Sequence, residues 1–130
     1  MGREKILIVD DDDGVREMLA EFFGVLGYPS IVACNGREAL GLLETQEVAL
    51  VISDIKMPVM DGIEMLKRIK EAHADLDVIL ITGYESDYSR RSVREAGASD
   101  YLCKPFNIDV IEKKVKSLMD KRSARRGDAR

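Results

Sequence analysis

The sequence predicts an α/β fold, in which one doubly wound, five-stranded parallel sheet has helices on both faces. Five short apolar runs alternate along the chain with five segments of helical periodicity, which is the order of elements in a sheet built from βαβ units. Three of these runs are continuously apolar, as expected for strands that are buried on both sides. A length of 130 residues suits a single domain of this kind.

Each element has a predicted range. Strands are predicted at residues 5–10, 30–34, 48–53, 77–82 and 99–104. Helices are predicted at residues 13–26, 36–44, 63–72, 86–96 and 108–121. Gly27 and Gly97 end the first and fourth helices, and Pro105 separates the fifth strand from the last helix. The fourth helix has few apolar anchors, Val93 and Ala96 among them, so low local stability is expected there.

Charge is unevenly distributed along the chain. The net charge is −4, but residues 121–130 contain five basic residues and one acidic residue, so the remainder has 15 basic against 23 acidic residues and a net charge of −8. An acidic body argues against direct binding of nucleic acid by the domain. We therefore predict a domain at residues 4–121, followed by a basic tail or the start of a linker at residues 122–130.

The sequence favours a cytoplasmic protein without a membrane span. No apolar run approaches the length of about 18 residues that a transmembrane helix needs, and the N-terminal segment lacks the shape of a signal peptide. Cys34 and Cys103 both follow apolar residues and have no spacing that suggests a metal site. They are expected to be buried free thiols in a reducing compartment.

Candidate site residues gather where the predicted strands end. They are Asp10 and Asp11 at the end of the first strand, Asp54 after the third, Thr82 and Gly83 at the end of the fourth, and Lys104 at the end of the fifth. The carboxyl ends of parallel strands lie at one edge of a sheet, where ligands bind. Crowded carboxylates need a counter-ion, and hard oxygen ligands suit Mg²⁺.

Four motifs at these strand ends resemble the motif set of response-regulator receiver domains, the phosphoacceptor modules of two-component signalling. The motifs are "IVDD" (8–11), "ISDIKMPVMDG" (52–62), "LITG" (80–83) and "YLCKPF" (101–106). The resemblance extends from residue 4 to about residue 121. It implies the flavodoxin-like strand order 2-1-3-4-5 and a divalent cofactor, Mg²⁺ or possibly Mn²⁺.

The resemblance also implies a role for each site residue. Asp54 is expected to be the phosphoacceptor, and Asp11 a direct metal ligand. Asp10 is expected to bind the metal through water, and Lys56 through its backbone carbonyl. Thr82, Lys104 and the Gly83 amide are expected to contact the phosphoryl oxygens. Thr82 and Tyr101 are the expected switch residues. Lys56 and Tyr84 flank the site, and we expect their side chains to tune the phosphoryl lifetime. A cis peptide bond is suggested between Lys104 and Pro105.

The implied partners are a sensor histidine kinase or a phosphotransfer protein. An output domain or a second copy of the chain would use the face formed by the fourth helix, the fifth strand and the fifth helix. Arg90, Arg91 and Arg94 lie on that fourth helix, either as a docking patch or as a solvated surface. The only chemistry expected is the domain's own phosphorylation and dephosphorylation.

Other interpretations of the same residues remain open. A haloacid-dehalogenase-type phosphatase would use Asp10 as its nucleophile, with Asp12, Thr82 and Lys104 in support, but would leave Asp54 without a role. A receiver-like binding module that is never phosphorylated would be expected to lack Asp54 or Lys104. The block of four aspartates at residues 10–13 also fits the start of a helix, where acids are favoured.

Overall fold

The computed structural model describes residues 4–83 and 90–125, the last range without the side chain of Arg90. Its strands are β1 (Lys5–Val9), β2 (Ser30–Ala33), β3 (Val48–Asp54), β4 (Asp77–Thr82) and β5 (Asp100–Cys103). Its helices are α1 (Asp13–Val25), α2 (Gly36–Thr45), α3 (Gly62–Ala72), α4 (Arg90–Glu95) and α5 (Ile108–Arg125). All four strand pairs are parallel, and the order is β2-β1-β3-β4-β5. The predicted fold class and strand order are confirmed.

The sheet has a separate apolar core on each face. Side chains alternate between the faces, so Ile6 and Ile8 of β1 pack with α1 and α5, whereas Leu7 and Val9 pack with α2, α3 and α4. The central strands β3 and β4 are buried along their whole length, which explains why their sequences are apolar without alternation. The buried polar residues therefore lie at or next to the ends of strands; in the described chain they are Asp10, Ser53, Asp54, Asp77 and Thr82.

Side-chain caps fix where the first three helices begin. The Asp12 carboxylate accepts hydrogen bonds from the backbone N–H groups of Gly14 and Val15, at 2.8 and 3.2 Å. Asn35 and Asp61 cap α2 and α3 in the same way. Part of the acidic block at residues 10–13 is therefore a helix start, and only part of it faces the edge of the sheet.

The ends of the elements agree with the predicted ranges to within one residue, apart from those of α4 and α5. The predicted start of the fourth helix, at residue 86, lies outside the described residues. Helix α5 continues to Arg125, four residues beyond its predicted end, because its arginines find acidic partners. The Arg122 guanidinium bonds the Glu4 carboxylate, and Arg125 Nη2 lies 3.2 Å from Asp77 Oδ2. The predicted domain boundary stays a prediction.

Both cysteines are free, but the prediction that they are buried is wrong, because both are exposed. Cys34 lies just beyond β2 and Cys103 is the last residue of β5, and these two strands form the edges of the sheet. An apolar neighbour in sequence does not imply burial at the end of an edge strand. Within residues 4–83 and 90–125, no helix has the length and apolar character that crossing a membrane requires.

Candidate functional site

Three carboxylates meet at the carboxyl edge of the sheet, as predicted. Asp10 and Asp11 follow β1, Asp54 ends β3, and the two strands are neighbours. One carboxylate oxygen from each of the three residues lies within 4.8 Å of the other two. Asp10 and Asp54 are 2% and 8% exposed, while Asp11 is open to solvent. Two of the three charges are therefore largely withdrawn from water.

Lys104 supplies a positive charge to this cluster. Its Nζ atom lies 3.2 Å from Asp54 Oδ2 and 4.0 Å from Asp10 Oδ2. The Lys104 backbone N–H donates to the carbonyl of Thr82 at 2.7 Å, which extends the pairing of β4 and β5 by one residue. The peptide bond between Lys104 and Pro105 is cis, as predicted.

The backbone around Asp54 is fixed by the loop that follows β3. The N–H of Gly62 donates to the carbonyl of Ile55 at 2.7 Å, so the loop folds back onto the end of the strand. A Cβ atom on Gly62 would lie 2.5 Å from the Asp54 carbonyl oxygen, which excludes any other residue without a backbone shift. The sequence indicated only a turn at this Asp-Gly pair, because the close approach depends on the tertiary fold.

Of the other predicted site residues, Thr82, Gly83 and Lys56 lie at or just beyond the carboxyl ends of their strands, and Tyr101 lies within β5. Thr82 is 1% exposed, and Gly83 beside it has open space where a Cβ atom would be. Tyr101 is buried at 8% exposure, and its hydroxyl lies 3.4 Å from Cys103 Sγ. The Lys56 side chain is exposed two residues beyond Asp54. Tyr84 lies outside the described residues.

Burial is the main cause that raises the pKa of Asp10 above its ordinary value of 3.8. The carboxylates of Asp54 and Asp11 raise this pKa further through repulsion. The backbone N–H of Asp12, which donates to Asp10 Oδ1 at 2.9 Å, and the Lys104 ammonium act in the opposite direction. The charged form of Asp10 thus costs free energy in the folded protein whenever the cluster has no further positive partner.

Comparison with known proteins decides the family. Residues 6–116 match the sequence profile of the response regulator receiver domain. The chain belongs to the response regulator receiver domain family. It is similar to sporulation initiation phosphotransferase F of Bacillus subtilis (strain 168), with 44% identity over 124 residues that cover 95% of this chain and 99% of that protein.

Other relatives place the same domain in longer proteins or resemble it in three dimensions. Regulatory protein AtoC of Escherichia coli (strain K12) is 41% identical over 107 residues, which cover 82% of this chain but only 23% of AtoC. The receiver domain of the Francisella response regulator 1452 superposes with a TM-score of 0.86 at 31% identity, covering 92% of this chain and 99% of that one. The chain is thus the receiver domain of a two-component response regulator, and the phosphatase interpretation finds no support.

The receiver domain's acidic cluster suits a hard divalent cation. Its donors are carboxylate oxygens, the ligand type that Mg²⁺ prefers. The ammonium of Lys104 compensates only one of the three negative charges and is itself 32% exposed. Asp10, Asp11 and Asp54 are the residues of the described chain whose acidic groups converge in this way.

Arg16 contacts the cluster from α1, and sequence reasoning did not single it out. Its Nη1 atom donates to the backbone carbonyl of Asp10 at 2.6 Å, and its Nη2 atom bonds the Asp13 carboxylate. The only signal in the sequence was the spacing of Asp13 and Arg16, which is common on helix surfaces. A bond from a side chain to a backbone carbonyl leaves no pattern in the sequence.

Substituting Asn for Asp10 is expected to stabilise the metal-free receiver domain at pH 7 by about 1 kcal/mol, because it removes a buried charge from a repulsive cluster. The folded state raises the pKa of Asp10, so ionised Asp10 destabilises the fold increasingly as pH rises through that pKa. The advantage of Asp10→Asn should shrink as pH is lowered towards 3.8. Urea unfolding in chelator across this pH range measures it.

The matched control is Asp120→Asn, because Asp120 has an exposed side chain on α5, paired only loosely with Lys116 at 3.6 Å. The free energy of unfolding of Asp120→Asn should follow that of wild type, so the difference between these two proteins should stay small at every pH value. A wild-type domain that is more stable than Asp10→Asn in chelator at pH 7 would contradict this account of the cluster.

Proposed function

We propose that Asp54 accepts a phosphoryl group from a sensor histidine kinase or a phosphotransfer protein, with Mg²⁺ or Mn²⁺ bound at the acidic cluster. The observation that supports this most directly is the placement of Asp54, a carboxylate 8% exposed at a strand end, 3.2 Å from Lys104 and grouped with two further acids. A solvated loop acid would have neither the burial nor the partners.

In the proposed transfer, an Asp54 carboxylate oxygen attacks phosphorus on the donor. The new O–P bond forms as the N–P bond of phosphohistidine breaks, and the imidazole nitrogen keeps the bonding pair. The divalent cation would offset the repulsion between the carboxylate and the phosphoryl oxygens. The chain's contribution is mainly positioning, so we propose only self-catalysed phosphorylation and dephosphorylation.

Lys104, Thr82 and Gly83 are proposed to receive the phosphoryl oxygens. Lys104 already contacts the acceptor carboxylate, so its ammonium can move to a phosphoryl oxygen once Asp54 is phosphorylated. The Thr82 hydroxyl makes only a long hydrogen bond, at 3.4 Å, to the carbonyl of Gly83. A charged phosphoryl oxygen is a stronger acceptor and would take over this hydrogen bond. Gly83 has no side chain, and the space that a Cβ atom would enter there is open, so nothing at this residue would block a phosphoryl oxygen from its amide.

In the proposed metal site, Asp11 and Asp54 would be direct ligands and Asp10 would act through bound water. The third protein ligand would be the backbone carbonyl of Lys56. This division agrees with burial, since exposed Asp11 can approach a hydrated ion and Asp10 is held by the Asp12 N–H. Mg²⁺ characteristically keeps several waters and takes one or two carboxylates directly.

The proposed signal passes through Thr82 and Tyr101 to the face formed by α4, β5 and α5. Movement of the Thr82 hydroxyl towards the phosphoryl group would leave space that favours an inward Tyr101 ring, a two-state change biased by local charge. A partner of this face would be an output domain or a second copy of the chain, and Arg91 of α4 has an exposed side chain that pairs with Glu95. The occurrence of related domains within longer proteins supports the first kind of partner.

We also propose that the domain works in the cytoplasm, within a two-component phosphorelay. Both cysteines are free and exposed, a state that persists in a reducing compartment. The acidic body of the chain argues that nucleic acid, where an output requires it, is bound by another domain.

Phosphorylation of Asp54 can be tested by intact mass after incubation with acetyl phosphate and Mg²⁺. Wild type should gain one phosphoryl group, Asp54→Asn none, and wild type in excess chelator none. The control Asp120→Asn alters an exposed acid on α5 and should be labelled like wild type. Undiminished labelling of Asp54→Asn, or labelling that survives chelation, would overturn the proposed acceptor.

The lifetime of the aspartyl phosphate should depend on the two flanking side chains. Tyr84→Ala is expected to shorten the half-life several-fold by admitting water, and Lys56→Ala to change it by removing a nearby charge. Lys67→Ala, an exposed lysine of α3, should have no effect. Phosphate release from the labelled domain measures this. If the half-life is the same in both flanking variants as in wild type, neither residue tunes the reaction.

The switch predicts a defined pattern of NMR shifts when beryllofluoride and Mg²⁺ are added. Changes should concentrate in residues 82–104 and fade in α2, which packs on the opposite half of the sheet with β2. Thr82→Ala should confine the changes to residues that touch the ligand. A wild-type response equally confined to those residues would show that no change reaches the α4-β5-α5 face.

A further inference from the structure

The turn from β1 to α1 holds two of the three clustered acids, and hydrogen bonds fix it from several sides. The Asp10 N–H donates to the carbonyl of Ala33 at 3.1 Å, and the Asp12 N–H donates to Asp10 Oδ1 at 2.9 Å. Strand β1 ends at Val9, so the carbonyl of Asp10 lies beyond the ladder. Its hydrogen bond comes instead from a charged side chain.

That side chain is Arg16, which is only 16% exposed although it begins the second turn of a surface helix. One guanidinium nitrogen donates to the Asp10 carbonyl at 2.6 Å, and the other bonds the Asp13 carboxylate. A planar guanidinium that uses two nitrogens at once holds its partners in a fixed relative orientation. The peptide that joins Asp10 to Asp11 is thereby tied to the start of α1.

We infer that Arg16 is a positioning residue for the divalent cation, acting through the carbonyl of Asp10. This peptide sets the direction in which the Asp10 and Asp11 side chains leave the backbone, so its orientation determines whether both carboxylates face Asp54. The inference rests on the proposed function, because it requires a cation at the acidic cluster. Residues that orient metal ligands typically change metal affinity by 10- to 100-fold when they are replaced.

The charge of Arg16 predicts the opposite effect from its hydrogen bond. A positive side chain near the cluster repels an incoming cation, so its neutralisation alone would strengthen Mg²⁺ binding. Loss of the bond to Asp10 would instead leave the turn free to rotate and would weaken binding. The sign of the change in Mg²⁺ affinity therefore separates positioning from simple electrostatics.

A purely structural role makes a third, distinct prediction. If Arg16 only stabilises the start of α1, its replacement lowers the melting temperature in chelator and leaves the Mg²⁺ dissociation constant of the folded domain unchanged. The two quantities are measured separately, the first by thermal unfolding and the second by calorimetric titration of the folded protein.

The experiment titrates MgCl₂ into the full chain as wild type, Arg16→Gln and Arg68→Gln. Arg68 is a matched control, since it also bonds an acid on its own helix, Glu64 at 3.0 Å, and lies outside the site. Arg16→Gln should raise the dissociation constant about tenfold, and Arg68→Gln should leave it within about twofold. Equal or tighter binding by Arg16→Gln would overturn the inference.

If Arg16→Gln fails to fold, the inference is tested by the same Mg²⁺ titration with Arg16→Lys. It preserves the charge, but one ammonium nitrogen must replace two guanidinium nitrogens, so weaker Mg²⁺ binding is again expected and unchanged binding would overturn the inference. Failure of the wild-type chain to bind Mg²⁺ would overturn the proposed metal site itself. Normal wild-type binding with an unaffected Arg16→Gln would reject only the role of Arg16.

Discussion

Repulsion among three carboxylates is the constraint on which this receiver domain depends. Asp10, Asp11 and Asp54 come within 4.8 Å of one another, and Lys104 returns one positive charge. The cluster is thus about two charges short of neutrality, which is the charge of one divalent cation. In the proposed reaction, phosphorylation of Asp54 would replace its single negative charge with a phosphoryl group that carries nearly two negative charges. Both states would therefore call for a divalent cation beside Lys104, and this charge balance would couple metal binding to the proposed phosphorylation.

The strand order makes this cluster possible and also determines its residue types. Because β1 and β3 are neighbours, short aspartate side chains from both strands meet directly. Strand β5 is separated from β3 by β4, a lateral distance of about 10 Å. Only a long side chain spans that distance, and the Nζ atom of Lys104 lies 3.2 Å from Asp54 Oδ2. Thr82, at the end of the intervening strand β4, accepts a hydrogen bond from the Lys104 backbone N–H. The same order therefore accounts for aspartates on the central strands and a lysine on the edge strand.

Periodicity and strand ends were enough to predict the fold class and the converging acids, because both follow from rules that act along the chain, whereas the strand order was predicted from the family resemblance. Continuous apolar runs predicted that the strands now seen as β1, β3 and β4 are buried on both sides, and the acids at the ends of β1 and β3 could be recognised without knowledge of packing. The errors involve contacts between distant segments. The last turn of α5 forms because Arg122 meets Glu4, and the exposure of Cys103 follows from its place at the end of an edge strand. The local sequence around Arg122 does not show that Glu4 is its partner, and the local sequence around Cys103 does not show that β5 is an edge strand.

The least predictable part of the site is its backbone, although backbone contacts position the two buried acids, Asp10 and Asp54. The carbonyl of Asp10 accepts from Arg16 at 2.6 Å, and the carbonyl of Asp54 accepts from the Ser53 hydroxyl at 2.8 Å. Gly62 passes so close to Asp54 that a Cβ atom would stand 2.5 Å from its carbonyl oxygen. The main chain of each buried acid is thus held by a group outside the strand ladder. A parallel sheet brings acids to one edge wherever they follow its strands, but without such restraints the carboxylates would turn apart to relieve their repulsion. These backbone contacts therefore hold the three carboxylates of the receiver domain close together, the arrangement in which the proposed cation would relieve the most repulsion.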